Sequence, residues 1–182
     1  MNKTFLKKYK PESIENFILP LNFKKMLNFL VTSDQLNILL VGDSGSGKTA
    51  LLNAIANDYY NSELIKSNIL YINTLKEQGI HYYRNEVKIF CQTTSVCKNK
   101  KKLVIIDDMD MINEQSQQIF RNCIDKYSDN VSFICSCTNV QKVIESIESR
   151  ILLVKIPPLQ PDDFLKITNN AVSYTHLTLP TT

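Results

Sequence analysis

The stretch Gly42-Asp43-Ser44-Gly45-Ser46-Gly47-Lys48-Thr49 constrains this chain more than any other. It follows an apolar run at residues 37–41. A helical pattern at residues 49–58 comes after it, with Leu51, Leu52, Ile55 and Ala56 on one face. The glycines let the backbone curl so that successive N–H groups face one anion, and the next helix turns its positive end to the same anion. Pattern and context together predict a phosphate-binding loop rather than a plain Gly/Ser turn. In such a loop Lys48 reaches the β- and γ-phosphates of ATP, and the Thr49 hydroxyl serves Mg²⁺, a hard ion that takes few protein ligands. The expected nucleotide contacts run from Gly42 through Asp43, Ser44, Gly45, Ser46, Gly47, Lys48 and Thr49 to Ala50.

Further apolar runs at residues 69–73, 103–107, 132–137 and 152–156 read as buried strands, with Cys135 and Cys137 among the strand residues. Helical stripes separate them: Ile80, Tyr83, Val87 and Phe90, then Ile119, Cys123, Ile124 and Tyr127. Strands alternating with helices require crossover connections. The expected fold class is therefore α/β, with a parallel five-stranded sheet covered on both faces in three layers.

The run Leu103-Val-Ile-Ile-Asp107-Asp108 ends in two acids, as a Walker B strand does. Asp107 is expected to hold magnesium through water and Asp108 to orient the attacking water, a helix N-cap being the competing structural role for Asp108. Asp110 is read as a cap or turn residue.

With 182 residues the chain has room for one domain and a real core, not for a large second domain. Its net charge of +3 is too small to argue nucleic-acid binding, so any DNA contact must come from placed residues. Five cysteines without a secretory segment ahead of them point to a reducing compartment. No apolar run approaches the roughly 20 residues that span a bilayer, so the expectation is a soluble nuclear or cytoplasmic protein without a membrane partner. Residues 98–102, with four lysines in five positions, are read as a solvated loop.

The segment Lys8-Tyr9-Lys10-Pro11 through Ile18-Leu19-Pro20 resembles the opening of AAA+ clamp-loader small subunits of the replication factor C type, phage loaders included. Residues 78–88 resemble that family's central helix, and residues 116–127 its helix after Walker B. Thr138 falls at the sensor 1 position, and Glu148-Ser149-Arg150 matches the family's Ser-Arg-Cys motif. The resemblance covers roughly residues 5 to 165. It implies that Tyr9 and Pro11 enclose adenine, that Thr138 meets the γ-phosphate, and that Arg150 acts in trans on a neighbouring subunit's ATP. It also implies that these two helices carry residues that face DNA or couple subunits, with Arg84, Lys88 and Arg121 the candidates for facing DNA. The implied partners are the other subunits of a hetero-pentamer, a sliding clamp and primer-template DNA. The Asn-, Ile- and Lys-rich composition suits a viral or other AT-rich genome.

Several positions depart from the family. Asp108 stands where Glu is usual, Thr138 where eukaryotic relatives carry Asn, and Ile151 where Cys is usual. The family's lid and collar domains are expected to be truncated in this sequence. The expected organisation is an ATP-binding domain at 1–158, the start of a truncated lid at 159–172, and a disordered or foreign tail at 173–182 that resembles translated sequencing-adapter read-through. Two other functions share the same motifs: an ATP-binding scaffold subunit with little hydrolysis of its own, and another AAA+ machine such as an origin-binding or branch-migration ATPase.

Overall fold

The structure, a computed structural model, describes residues 10–60, 66–74, 80–97, 99–158 and 163. Tyr9 and the readings on 159–182, Asp163 apart, lie outside the described residues.

The strands are β1 (Ile38–Val41), β2 (Ile69–Asn73), β3 (Lys102–Asp107), β4 (Val131–Cys137) and β5 (Leu152–Lys155). They form one five-stranded sheet in the order β2-β3-β4-β1-β5, and every neighbouring pair is parallel. Helix α1 (Leu21–Thr32) precedes β1, and between the strands run α2 (Lys48–Tyr59), α4 (Glu114–Tyr127) and the short α5 (Glu145–Glu148). The remaining helix, α3, consists of Ile80–Tyr82 and Lys88–Gln92 joined through a π-helical stretch, Tyr83–Val87.

Side chains alternate across the sheet and build two separate cores, which is what three layers require. Ile38 and Leu40 of β1, Leu103 and Ile105 of β3 and Ile134 of β4 pack under α1 and α2 with Leu27, Leu30, Leu52 and Ile55. Leu39, Val104, Ile106, Phe133 and Cys135 point the other way, onto Tyr83, Val87, Phe120 and Ile124 of α3 and α4. The three-layer parallel sheet expected from the sequence is thus present, with strand ends within one residue of those expected.

Helix α1 has no counterpart among the sequence expectations. Phe23, Leu27, Leu30 and Val31 form its core-facing stripe, but Leu21, Met26 and Phe29 are exposed, so apolar residues outside the stripe blur the pattern. Its start is set by Pro20, whose carbonyl accepts from the N–H groups of Phe23 and Lys24.

The lysine run corrects another expectation. Lys102 is only 3% exposed. Its Nζ donates to the Phe90 carbonyl at 2.8 Å and to Thr93 Oγ1, and it lies 3.8 Å from the Phe90 ring centroid. Burial holds its pKa below the ordinary lysine value. Lys100 donates to the Tyr59 carbonyl, and Lys101 pairs with Asp34 at 3.8 Å. A cation placed over the carbonyls at the C-terminal end of α3 closes that helix, which spacing along the chain cannot reveal.

Candidate nucleotide site

The phosphate loop leaves β1 at Gly42 and enters α2 at Lys48. Gly45 and Gly47 take positive φ of 80° and 86°, the left-handed region that an L side chain rarely adopts. Gly42 is constrained differently: a Cβ there would come within 2.7 Å of Ser46 Oγ and 3.4 Å of the Ile156 Cβ, so Ser46 would have to turn away. The Ser46 N–H donates to the Asp43 carbonyl at 3.1 Å and closes the curl. Lys48, 7% exposed, lies inside the loop and donates to the carbonyls of Gly42 and Asp43 at 2.9 and 3.0 Å. Asp43, Ser44, Gly45 and Thr49 are exposed, and Ala50 is half-buried in the first turn of α2.

Strand order brings the acids to this loop. β4 lies between β1 and β3, so the ends of all three strands open at one edge of the sheet. Thr49 Oγ1 donates to Asp107 Oδ2 at 2.8 Å across 58 residues of chain. Two further hydroxyls converge on the same carboxylate: Tyr71 on Oδ2 at 3.2 Å and Ser136 on Oδ1 at 2.7 Å. Burial first, then the charge of Asp107, pushes the Tyr71 phenol up to about 12, so it remains a donor. Neither Tyr71 nor Ser136 is foreseen from the sequence. The available signal for Ser136 is a polar residue inside an otherwise apolar strand.

Asp108 takes φ 54° and ψ 59°, a left-handed conformation that strains a non-glycine residue. It occupies the N-cap position of the turn Met109–Met111, yet its side chain makes no capping bond. Its backbone N–H is held by Ser136 Oγ at 3.0 Å. Burial, followed by the charge of Asp107, raises its pKa, while Lys48 opposes the rise. Thr138 directly follows β4, next to Gly42, whose N–H donates to the Cys137 carbonyl at 3.3 Å.

The other expected site residues are distributed as follows. Pro11 precedes Glu12, whose carbonyl accepts from Asn57 near the far end of α2, roughly 14 Å along the helix from Lys48. The side chain of this opening segment that approaches the loop is Phe17, with a ring atom 3.9 Å from where a Gly47 Cβ would stand. Arg84 and Lys88 are exposed on α3, while Tyr83 and Val87 of the predicted stripe are buried. Arg121 is not a free cation, because its Nε lies 3.4 Å from Asp125 Oδ2, one turn on in α4. Arg150 binds the other oxygen of that carboxylate through Nε, and its Nη1 donates to the Ser146 carbonyl at 2.7 Å and to Ser149 Oγ at 3.1 Å. Its Nη2 has no hydrogen-bond partner among the described residues.

The residues present fit a nucleotide phosphate and a magnesium ion. Ser46 Oγ is buried inside the loop with no hydrogen-bond partner among the described residues. Gly42 keeps open a space that a Cβ would fill, and Thr49 and Asp107 bring hard oxygen donors within hydrogen-bonding distance of each other. A magnesium ion, when bound, would supply charge neutralisation to the phosphates, and Thr49 and Asp107 are the residues that would hold it.

Residues 38–156 match the model of the ATPase family associated with various cellular activities, AAA. The chain belongs to this AAA family. Among relatives of this AAA chain is the replication factor C small subunit of Methanococcus vannielii, 30% identical over 167 residues, which are 91% of this chain and 53% of that protein. The chain therefore spans about half the length of the curated relatives it matches. Among solved structures, the Thermotoga maritima RuvB Holliday junction branch migration motor aligns with a TM-score of 0.71 at 19% identity, over 95% of this chain and 56% of that one. AMPPCP-bound DnaA from Aquifex aeolicus aligns with a TM-score of 0.68 at 19% identity, over 98% and 59% of the two chains. These two likenesses concern the fold alone. No helix among the described residues is long and apolar enough to cross a membrane.

Proposed function

We propose that this AAA domain is the ATP-binding part of a clamp-loader small subunit, which acts in a ring of related subunits. Bound ATP lets the ring grip an open sliding clamp and primer-template DNA, and hydrolysis releases both. Lys48 and the loop N–H groups hold the phosphates, Thr49 and Asp107 serve magnesium, Asp108 orients water and Thr138 meets the γ-phosphate. Tyr9 and Pro11 are assigned to the adenine side. The observation that carries the ring is the position of Arg150. Leu152 pairs with Ile38, so Arg150 lies beyond the N-terminal end of β5, whereas the phosphate loop leaves the C-terminal end of β1, at least about 13 Å away. Arg150 is thus out of reach of its own loop and stands at a rim, with Nη2 unpartnered among the described residues and available to a neighbour's phosphate.

The DNA-facing role is assigned to Arg84 and Lys88, exposed on α3, with Arg121 contributing in competition with Asp125. In the assembled protein, ATPase activity rises only when sliding clamp and primed DNA are both present. Replacing Arg84 and Lys88 with Gln weakens DNA binding for all sequences alike and flattens the log-log salt dependence by roughly two phosphate contacts. Equal stimulation without clamp overturns the clamp-loading assignment, and an unchanged salt slope returns both cations to a solvated face.

The scaffold reading is favoured by one observation: Asp108 is strained and one methylene shorter than the usual Glu. Under the loader reading, Asp108→Glu raises single-turnover hydrolysis in the assembled protein by about 10-fold with little change in ATP affinity. A rate equal to or below the parent's means that the site is adapted to Asp or that Asp108 is structural.

A further inference from the structure

Asp110 has no place in the nucleotide chemistry described above, yet it sits against it. It lies in the turn Met109–Met111 that follows the two acids of β3. Its Oδ2 accepts from the backbone N–H groups of Thr138 and Asn139 at 3.3 and 3.1 Å. Its Oδ1 is buried and has no hydrogen-bond partner among the described residues. A cap on its own turn is the role expected of an acid at this point in the sequence. The carboxylate instead reaches 28 and 29 residues along the chain to the loop after β4.

The bonding is costly on one side and productive on the other. A buried carboxylate oxygen without a partner opposes folding. The two N–H bonds, strengthened by the negative charge, join two segments that the sheet leaves unconnected. Thr138 and Asn139 lie past the last residue of β4, so the ladder with β1 and β3 does not hold them. Asp110 ties their backbone to the turn that begins at Asp108. Gln117, fully buried, continues the tie farther along: its Nε2 donates to the carbonyls of Ile112 and Lys142, and its Oε1 accepts from the Ile144 N–H, each at 2.9 Å.

We infer that Asp110 is a positioning residue for hydrolysis, latching the Thr138 backbone to the Asp108 turn so that both side chains keep a fixed separation across the γ-phosphate position. The turnover part of this inference rests on the ATPase function proposed above, whereas the latch can be read without nucleotide.

Hydrogen exchange on the full-length protein reads the latch. In Asp110→Ala the Thr138 and Asn139 amides exchange faster, while those of Ile134 and Cys135 in β4 keep their protection. Asp110→Asn, whose amide oxygen accepts from the same N–H groups, restores most of the protection and carries the comparison if the Ala variant loses β4 protection as well. In the assembled protein, Asp110→Ala lowers single-turnover hydrolysis about 10- to 100-fold and leaves ATP affinity within about threefold, as expected of a small displacement of catalytic groups. Asp110→Asn recovers most of the rate. Combined with Thr138→Ala, the two losses do not multiply, because Asp110 acts through Thr138. Unchanged exchange at Thr138 and Asn139 overturns the latch. Losses that multiply, or an effect confined to ATP affinity, overturn the positioning role. A parent protein that never turns over removes the ATPase function instead, and the exchange comparison still decides whether the latch exists.

Discussion

Lys48→Ala weakens ATP binding by orders of magnitude. The Lys48 ammonium is the buried positive charge of a loop otherwise lined by neutral backbone donors, and it is fixed by the carbonyls of Gly42 and Asp43. Removing one member of a buried, hydrogen-bonded charge pair costs about 2 to 5 kcal/mol in binding. That corresponds to roughly 30- to 4,000-fold in affinity. The fold should survive, because the loop keeps its Ser46 to Asp43 turn and its glycine geometry. Titration with labelled ATP, alongside a melting curve of each protein, measures the effect. An unchanged affinity removes the phosphate-loop assignment, and a collapsed melting transition calls for Lys48→Arg, which keeps the charge but misplaces it.

Arg150→Ala eliminates hydrolysis at the neighbouring subunit's site. Two roles for this guanidinium differ in size by orders of magnitude. As a partner of Asp125 alone it forms an ion pair whose side chains are 31% and 42% exposed, worth about 0 to 1 kcal/mol. Inserted into a neighbour's site it neutralises charge developing on the γ-phosphate, an effect of about 10³ to 10⁵ in rate. The geometry favours the second role. Nε and Nη1 are held within the subunit by Asp125, Ser146 and Ser149, and Nη2, without a partner among the described residues, can meet an anion with little loss of rotamer freedom. Mutated full-length subunits are mixed with neighbours whose phosphate loops are intact, and hydrolysis is assigned site by site. Loss at the adjacent site with ATP binding by the mutated subunit preserved is the expected pattern. Loss confined to the mutated subunit's own site sinks the trans role and much of the case for a ring.

Both predictions rest on residues singled out in the sequence, Lys48 by a phosphate-loop pattern with its own physical logic and Arg150 by resemblance to a family motif. Gly45 and Gly47 announce positive φ, the Lys48-Thr49 pair follows them directly, and apolar runs flank the loop at strand and helix spacing. The same locality made the strands readable, and alternation with helices was enough to require a parallel sheet covered on both faces. The buried stripe of helix α1 is blurred by the exposed Leu21, Met26 and Phe29 beside it. Lys102 was misplaced because a lysine run looks solvated until a helix end is packed over it.

The strand order was decided only by the tertiary structure, and with it the site. Insertion of β4 between β1 and β3 puts Ser136 beneath Asp107, brings Thr49 across to the same carboxylate and sets Thr138 above Asp110. Packing of α4 against the turn before β5 likewise makes Arg121 and Arg150 share Asp125. These contacts join residues up to 58 apart in the chain. One sequence records which strands exist but not which become neighbours, since each buried strand is apolar on both faces and could pair with any other. The chemistry of the phosphate loop was therefore written locally, and its second half was assembled by the sheet.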